Sequence, residues 1–342
     1  MDVAALLHGK LDVPVCGCHD ENGEVALVSI LITGAAGNLG ARLVVPLVRR
    51  GERVVLFDLR RKPLVDSPEF DRCQFIEGDL SNFDVVRDAV RAAKVQTIFH
   101  LAAILSSDAE GRPDVAWRVN LEGTRNLLEA ARQCDAKRVI FSSTVATYGA
   151  NLPQPLALDA PQWPVSLYGV TKVAAERLGV YYRHRFGLDF RGIRFPAVVA
   201  PRGAAGGASA FCSAVFEESA LKGSYEFYIK PATRCPVVYI ADAVGALIAL
   251  SDAPREKLRH CLYNIYALSP SAQELETAVR KRLPTVKISY QPDPLRAAIV
   301  ESWPSTIDDR DARQDWGWNP TYGLDAMTEE ILETLQPGNS KQ

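Results

Sequence analysis

The chain has 342 residues, of which 47% are hydrophobic, and this is enough material for one large α/β domain or for a nucleotide domain with a smaller lobe. Its 39 basic and 41 acidic residues give a formal net charge of −2, which excludes a broad electrostatic attraction for nucleic acid or for an anionic membrane. No apolar run approaches the roughly 20 residues that span a bilayer, and the first residues lack the basic start of a secretory signal. We therefore expect a cytoplasmic protein whose partner is a small molecule, with no nucleic-acid and no membrane partner.

Apolar runs alternate with amphipathic stretches along the first part of the chain. Strands are predicted at residues 28–32, 54–57, 74–76, 97–101, 138–141 and 190–195. Apolar residues at helical spacing follow these runs, as at Leu39, Leu43 and Leu47. This alternation predicts an α/β fold with a doubly wound parallel sheet of the Rossmann type.

The alternation weakens beyond Pro196, where a glycine-rich loop follows and the later elements are shorter and more mixed. We expect a smaller C-terminal substrate-binding lobe to begin here. The predicted organisation is an N-terminal extension at residues 1–25, a Rossmann domain at 26–198, a mainly substrate-binding lobe at 199–336 and a frayed tail at 337–342. Residues 237–265 within the lobe are expected to return to the Rossmann domain.

The seven cysteines are scattered and include no repeated CxxC pair of the spacing that holds zinc. Cys16, Cys18 and His19 lie close together, but no second pair of ligands is near them in the sequence. We interpret the cysteines as reduced, mostly buried thiols and expect no metal site.

A glycine-rich turn separates the first predicted strand from the first predicted helix. Gly34, Gly37 and Gly40 allow a sharp turn and a close approach of the backbone to a pyrophosphate, whose charge the helix N-terminus then meets. The spacing is GxxGxxG rather than GxGxxG, and glycines also mark ordinary turns. The loop alone is therefore weak support for a dinucleotide site.

Asp58 strengthens that interpretation because it ends the second predicted strand. A carboxylate there accepts hydrogen bonds from the adenosine ribose hydroxyls and repels a 2′-phosphate, which favours NAD over NADP. Arg60 and Arg61 follow closely and leave NADP open. Asp79, just after the third predicted strand, is placed either to meet the adenine or to serve as a turn or helix-cap aspartate. The sequence therefore predicts that the Rossmann domain binds NAD.

The reactive group is predicted around Tyr168 and Lys172, which are four residues apart and share one face of a helix. A free tyrosine has a pKa of about 10, but a fixed cation and a positive nicotinamide ring nearby favour the phenolate, which is a general base. A tyrosine and a lysine at this spacing are also common on an exposed helix face. What favours a catalytic pair is the run Ser142, Ser143 and Thr144 directly after the fifth predicted strand, which offers a hydroxyl to orient a substrate oxygen.

Several short motifs occur in the order seen in one family. They are TGAAGNLG at 33–40, HLAA at 100–103, Asn120 within VNL, FSST at 141–144 and YGVTK at 168–172. As a set they resemble the extended short-chain dehydrogenases, a family that includes nucleotide-sugar epimerases and dehydratases. The resemblance runs from about residue 28 to the end of the chain.

The resemblance implies roles for individual residues. Tyr168 corresponds to the catalytic base, Lys172 to the residue that holds the nicotinamide ribose, and Thr144 to the hydroxyl partner, where serine is commoner. The cofactor contacts it implies are Gly34, Gly37, Asn38, Leu39, Gly40, Asp58, Asp79, Leu80, Leu101, Ala102, Ala103, Asn120 and Lys172. Dimers paired through two helices are usual in this family, so a homodimer is expected.

Two segments favour an amino-acid dehydrogenase within the family. Ala197 stands where nucleotide-sugar epimerases carry an asparagine for the substrate diphosphate, which argues against a UDP-sugar. Residues 103–106 and 302–309 resemble the short-chain type of L-threonine 3-dehydrogenase, which implies that Ser106 contacts the substrate and that Trp303 lines the pocket. The implied reaction is oxidation of the 3-hydroxyl of L-threonine to 2-amino-3-oxobutanoate.

One loop departs from that pattern. Those dehydrogenases have a hydroxyl-rich stretch where this chain has Ala-Ser-Ala-Phe at 208–211, so only Ser209 keeps a hydroxyl. Arg234 is a further candidate to grip a substrate carboxylate. Three functions stay open: a threonine dehydrogenase, a related hydroxy-acid or sugar-acid (aldonate) dehydrogenase, and a nucleotide-sugar epimerase or a non-catalytic NAD-binding regulator.

Overall fold

The computed structural model describes residues 29–203 and 207–335, with the backbone of residues 18–19 and 25–26 in addition. None of the helices in these ranges is long and apolar enough to cross a membrane.

Little of the predicted N-terminal extension is described. The backbone of Cys18–His19 pairs antiparallel with that of Val25–Ala26. The side chains of the Cys16, Cys18 and His19 cluster and the tail at 337–342 lie outside the described residues. The domain limits drawn from the sequence therefore remain a prediction.

A seven-stranded parallel sheet forms the centre of the molecule. The strands of residues 29–335, inside and outside this sheet, are in chain order β1 (Ser29–Thr33), β2 (Arg53–Asp58), β3 (Gln74–Glu77), β4 (Thr97–His100), β5 (Arg138–Thr144), β6 (Asp189–Phe195), β7 (Ala197–Val199), β8 (Ser224–Phe227), β9 (Val237–Tyr239), β10 (Leu262–Asn264) and β11 (Lys287–Tyr290). The spatial order in the central sheet is β10-β6-β5-β4-β1-β2-β3, and every neighbouring pair is parallel. The sheet confirms the predicted doubly wound Rossmann fold, and all six predicted strands are part of it.

Helices connect the strands and cover the sheet. They are α1 (Asn38–Arg49), α2 (Pro68–Asp71), α3 (Phe83–Ala92), α4 (Ser106–Gly111), α5 (Pro113–Ala116), α6 (Gly123–Gln133), α7 (Leu167–Phe186), α8 (Phe211–Lys222), α9 (Ile240–Asp252), α10 (Ala272–Arg282), α11 (Pro294–Glu301), α12 (Arg310–Trp316) and α13 (Leu324–Leu335). One turn of π-helix, Trp117–Glu122, runs directly into α6, and short 3-10 turns lie at Val145–Thr147 and Arg255–Lys257.

Two apolar layers, one on each face of the sheet, follow from the alternation of side chains along the strands. Ile30 and Ile32 of β1 pack in one cluster with Leu43 and Leu47 of α1. Leu31, which lies between them in the sequence, packs in a second cluster that includes residues of α3, α6 and α7. Because both faces are covered in this way, a ligand-binding site is expected at the carboxyl edge of the sheet.

Much of the chain after β6, the predicted smaller lobe, packs in a third apolar cluster distinct from the two layers on the sheet. Two parallel strand pairs, β7 with β9 and β8 with β11, lie outside the central sheet. A third cluster of buried side chains includes Phe211 and Phe216 of α8, Leu275 of α10 and Ile331 of α13. This lobe reaches the carboxyl edge of the sheet through the loop before α8.

Candidate active site

The predicted catalytic residues meet at the carboxyl edge of the sheet. Thr144 is the last residue of β5, Tyr168 lies in the first turn of α7, and Lys172 follows one turn later. The Lys172 Nζ donates a hydrogen bond to the Ser142 carbonyl at 2.7 Å and lies 5.8 Å from the centroid of the Tyr168 ring. The structure thus brings the three side chains together, as their spacing predicts, while their roles stay a prediction.

Local contacts fix the start of α7. Ser166 is the N-cap residue, and its hydroxyl accepts a hydrogen bond from the Gly169 N–H at 3.1 Å. The Glu110 carboxylate, on α4, accepts from the Leu167 N–H at 2.7 Å. Because Tyr168 lies within this capped turn, these hydrogen bonds fix the backbone position from which its side chain projects.

Burial has the largest effect on the ionisation of Tyr168 and Lys172. Burial raises the pKa of Tyr168 to about 12, and the hydrogen bond with Thr144 acts in the opposite direction. Burial also lowers the pKa of Lys172 to about 7, although the Glu176 carboxylate raises it. Loss of hydration is therefore the largest influence on the pKa of both side chains, and the expectation that a fixed cation together with a positive nicotinamide ring favours the Tyr168 phenolate stays a prediction.

Glu176 and Arg194 form a buried ion pair one helical turn beyond Lys172. The Arg194 Nε and Nη2 donate to the two Glu176 oxygens at 2.9 and 2.8 Å. The Ser143 hydroxyl and the Gln162 amide donate to the same carboxylate at 2.5 and 2.9 Å. These four hydrogen bonds compensate for the removal of both charges from water.

His100, the last residue of β4, is a buried and neutral side chain. Its Nδ1 lies 2.8 Å from the Thr33 hydroxyl and its Nε2 lies 2.9 Å from the Thr124 hydroxyl. The Thr124 hydroxyl donates its own hydrogen to the Asn120 carbonyl, so it accepts from the imidazole, and the proton resides on Nε2. Burial, with the Lys172 charge adding to it, lowers the pKa of His100 to about 3.

Asn120, in the π-helical turn, joins this group to α7. Its Oδ1 accepts from the Ile104 N–H at 2.7 Å, and its Nδ2 donates to the Ile104 carbonyl at 3.0 Å and to the Thr171 hydroxyl at 3.2 Å. The side chain therefore fixes the segment after β4 against the helix that carries Tyr168. Its predicted contact with the cofactor stays a prediction.

Sequence reasoning missed several of these positioning groups: Thr33, Thr124, Thr171, Glu176 and Arg194. The signal available was the buried polar character of His100 in the HLAA motif, because a histidine between two apolar strands needs hydrogen-bond partners.

The glycine loop fits a dinucleotide. Gly34 has φ of +70°, and a Cβ there would lie 2.6 Å from the Ala102 nitrogen, so the loop rests directly on the segment after β4. The N-cap residue of α1 is Gly37, which has no side chain to cover the first N–H groups of the helix. A cradle of this shape leaves backbone donors and the positive end of the helix dipole for a pyrophosphate.

Asp58 lies at the edge of that cradle. Its Oδ2 accepts from the Ala36 N–H of the glycine loop at 2.9 Å, and its Oδ1 accepts from the Leu59 N–H at 2.7 Å. The carboxylate is thus fixed next to the loop at the end of β2, where an adenosine ribose belongs.

The other predicted cofactor residues lie along the same edge. Asn38 begins α1, and its Oδ1 accepts from Arg42 on the next turn. Asp79 is exposed, and its Oδ1 accepts from the Ser81 N–H at 2.8 Å, which is the turn aspartate considered as the alternative. Leu80 is buried and packs in the second apolar cluster. Leu39, Gly40, Leu101, Ala102 and Ala103 occupy the start of α1 and the segment after β4.

The loop before α8 approaches one of the predicted substrate residues, Ser106. Ser106 begins α4, and a Cβ added to Gly207 would lie 2.8 Å from its hydroxyl oxygen. The loop that carries Ser209 therefore passes directly over Ser106. Trp303 follows α11 and packs, half-buried, against the lobe core.

Arg234 is engaged elsewhere. Its Nη1 and Nη2 each donate to a Glu274 oxygen at 3.0 Å, and Nη1 also donates to the Ser269 carbonyl at 2.6 Å. Glu274 in turn completes a capping box with Ser271 at the start of α10. The Arg234 guanidinium, which was expected to bind a substrate carboxylate, binds the Glu274 carboxylate instead. Its contact with the substrate therefore stays a prediction, and it requires the ion pair with Glu274 to open.

Comparison with known proteins identifies relatives of the whole arrangement. A family model described as the NAD dependent epimerase/dehydratase family matches residues 30–265. The Bos taurus protein "L-threonine 3-dehydrogenase, mitochondrial" is 36% identical over 307 residues, which cover 89% of this chain and 81% of the relative. The X-ray structure of an L-threonine dehydrogenase from Clostridium difficile superposes with a TM-score of 0.84 at 35% identity, covering 90% of this chain and 98% of that one. A structure described as a monomeric L-threonine 3-dehydrogenase from a metagenome superposes with a TM-score of 0.81 at 32% identity, with coverage of 90% and 98%.

Proposed function

The chain belongs to the NAD dependent epimerase/dehydratase family, and from that membership we propose that it oxidises the 3-hydroxyl of L-threonine to 2-amino-3-oxobutanoate with NAD as its cofactor. The observation that supports this most directly is the similarity, over 90% of this chain, to a solved L-threonine dehydrogenase. The grouping of Thr144, Tyr168 and Lys172 at the same carboxyl edge of the sheet as the glycine cradle supports this proposal, because it offers the proton acceptor and the cation that such a reaction requires.

The cradle of Gly34, Gly37 and Gly40 would hold the pyrophosphate, and Asp58 would hold the adenosine ribose. When bound, NAD would supply the two-electron acceptor for the carbon-bound hydrogen and a positively charged nicotinamide ring.

Side chains of the protein transfer the proton of the substrate hydroxyl. The Thr144 hydroxyl orients the substrate oxygen, and the Tyr168 Oη accepts the proton of the substrate hydroxyl. Lys172, held at the Ser142 carbonyl, stabilises the negative charge that this phenol carries before it accepts the proton. Since burial holds the pKa of Tyr168 near 12, this stabilisation must come from positive charge close to the oxygen.

A screen for NADH formation by absorbance tests the proposal. The substrates are L-threonine, D-threonine, L-serine, a four-carbon aldonate and UDP-glucose, and Tyr168→Phe is the matched control for contaminating activity. We expect NADH with L-threonine from the native chain alone. NADH from the aldonate and none from L-threonine would contradict the proposal.

A sugar-acid or other hydroxy-acid dehydrogenase is the second candidate. It is favoured by the loop at 208–211, where Ser209 is the single hydroxyl. An epimerase is expected to interconvert UDP-sugars without net NADH, and a non-catalytic regulator is expected to bind NAD without turnover. The same screen, with an NAD-binding measurement and analysis of the UDP-sugar products, separates all of these.

We also propose that the chain forms a homodimer through α7 and the π-helical turn. Trp117, Val170 and Tyr181 expose 43%, 40% and 53% of their surface there, an apolar area suited to a second copy of the chain. The relative described as monomeric shows that this assembly needs measurement. Light scattering is expected to give twice the chain mass, and Tyr181→Glu is expected to give the mass of one chain.

We propose the cytoplasm as the location, because the formal net charge of −2 gives no broad attraction for an anionic membrane. The bovine relative is named as mitochondrial, so a fluorescent fusion of the full chain is the appropriate test. Signal confined to an organelle would contradict this location.

A further inference from the structure

The loop between Ala208 and Phe211 is held by one side chain of the lobe, Tyr228. The Tyr228 hydroxyl donates to the Ala208 carbonyl at 2.9 Å and accepts from the Phe211 N–H at 3.1 Å. These two backbone groups lie on either side of Ser209. One phenol therefore closes the loop that carries this predicted substrate contact.

The ring of Tyr228 is itself fixed. The Arg296 guanidinium lies 3.3 Å from the ring centroid, and the buried Phe211 ring packs edge-on at 5.9 Å between centroids. The Tyr228 carbonyl accepts from the Asp293 N–H at 3.0 Å, at the start of α11. Since Trp303 follows the end of α11, Tyr228 connects the Ser209 loop to the element that carries the expected pocket wall.

The other end of the loop lies against the Rossmann domain, where Gly207 leaves no space for a side chain beside Ser106. The loop thus spans from Ser106 to Tyr228. Burial raises the pKa of Tyr228, so its hydroxyl keeps the proton that it donates to Ala208 at physiological pH.

We propose that Tyr228 is a positioning residue that sets substrate affinity by holding the Ser209 loop in place where it passes Ser106, without contacting the reacting atoms. The proposal rests on the proposed function for the identity of the substrate. Phenylalanine at this position keeps the ring, the Arg296 stacking and the Phe211 contact, but it leaves the Ala208 carbonyl and the Phe211 N–H without their partner. Substrate binding then has to order the loop, and this weakens affinity but leaves the chemical step intact.

The experiment compares the full chain with Tyr228→Phe and Tyr225→Phe. Tyr225 is the matched control because it is buried in β8 and makes no hydrogen bond to the described part of this loop. For Tyr228→Phe we expect the KM for L-threonine to rise about fivefold or more, with kcat and the KM for NAD within about twofold of the native values. Tyr225→Phe is expected to match the native chain in all three.

Amide hydrogen exchange at Phe211 supplies a readout that needs no substrate. We expect faster exchange in Tyr228→Phe and native exchange in Tyr225→Phe, because only the first loses the acceptor of this N–H. Unchanged exchange at Phe211, or a fall in kcat with an unchanged KM, would overturn the proposal. If the native chain makes no NADH from L-threonine, the proposed function is refuted instead. The KM comparison would then use whichever substrate reacts in the screen. If no substrate reacts, amide exchange at Phe211 decides whether Tyr228 holds the loop.

Discussion

Breaking the buried ion pair beside the active site should be costly. Glu176 is fully buried and Arg194 is 4% exposed, so neither charge has water to replace a lost partner. Replacing Arg194 with methionine keeps an unbranched apolar side chain but removes both hydrogen bonds to the carboxylate and the two that Nη1 donates to the Tyr148 hydroxyl and the Leu158 carbonyl. A buried charge left without its partner typically costs about 3–5 kcal/mol and each further hydrogen bond about 1 kcal/mol, so the free energy of unfolding of Arg194→Met should fall by about 5–7 kcal/mol.

The double variant Arg194→Met with Glu176→Met tests the physical reason. Without either charge, the remaining losses are the acceptor of the Ser143 hydroxyl, that of the Gln162 amide, and the two hydrogen bonds that Arg194 Nη1 donates to the Tyr148 hydroxyl and the Leu158 carbonyl. At about 1 kcal/mol for each of these four hydrogen bonds, the double variant should lie about 4 kcal/mol below the native chain and above the single variant.

Urea unfolding followed by circular dichroism measures all three proteins, with equal slopes required for the comparison. A single variant that loses less than about 1 kcal/mol would refute the reasoning, since that is the usual value of an exposed pair. So would a double variant that is less stable than the single one, because it would locate the cost in packing and not in the unpaired charge.

Three further predictions follow from the site. Tyr168→Phe should cut turnover about a hundredfold or more while calorimetry shows native NAD affinity, and near-normal turnover would remove Tyr168 from the mechanism. NAD should exceed NADP in kcat/KM by more than about tenfold because Asp58 repels a 2′-phosphate, whereas equal values would show that Arg60 or Arg61 dominates. His100 has a pKa of about 3 when folded against about 6.5 unfolded, so its contribution to stability is complete above pH 6.5 and is lost as the pH falls toward 3, at up to about 1.4 kcal/mol per pH unit. His100→Gln should lack this component, and parallel stability curves for the two proteins between pH 6.5 and 5 would contradict it.

The periodic parts of the fold could be predicted because their information is local. All six apolar runs became strands of the central sheet, and the spacing of Tyr168 and Lys172 placed both on one helix face. The seventh strand, Leu262–Asn264, has only three residues, which is too short for a recognisable pattern.

Partners that are distant in the sequence could not be predicted in the same way. His100 finds its hydroxyl partners 67 and 24 residues away, and Arg234 meets Glu274 across 40 residues. The upward shift of the Tyr168 pKa could not be predicted either, because it depends on how completely the folded chain removes water from the phenol.

The division between sheet edge and lobe has a consequence for how enzymes of this construction diversify. Thr144, Tyr168 and Lys172, to which we assign the proton transfer, lie on the Rossmann sheet and the helix packed against it, whereas the proposed substrate contacts Ser209 and Trp303 come from the lobe. Mutations in the lobe can therefore change which alcohol is accepted while the redox centre is inherited intact. Tyr228 would make the lobe contribution a transferable unit, since one phenol joins the loop to α11. Evolution or protein engineering could therefore exchange the loop and α11 together and keep the same dinucleotide chemistry.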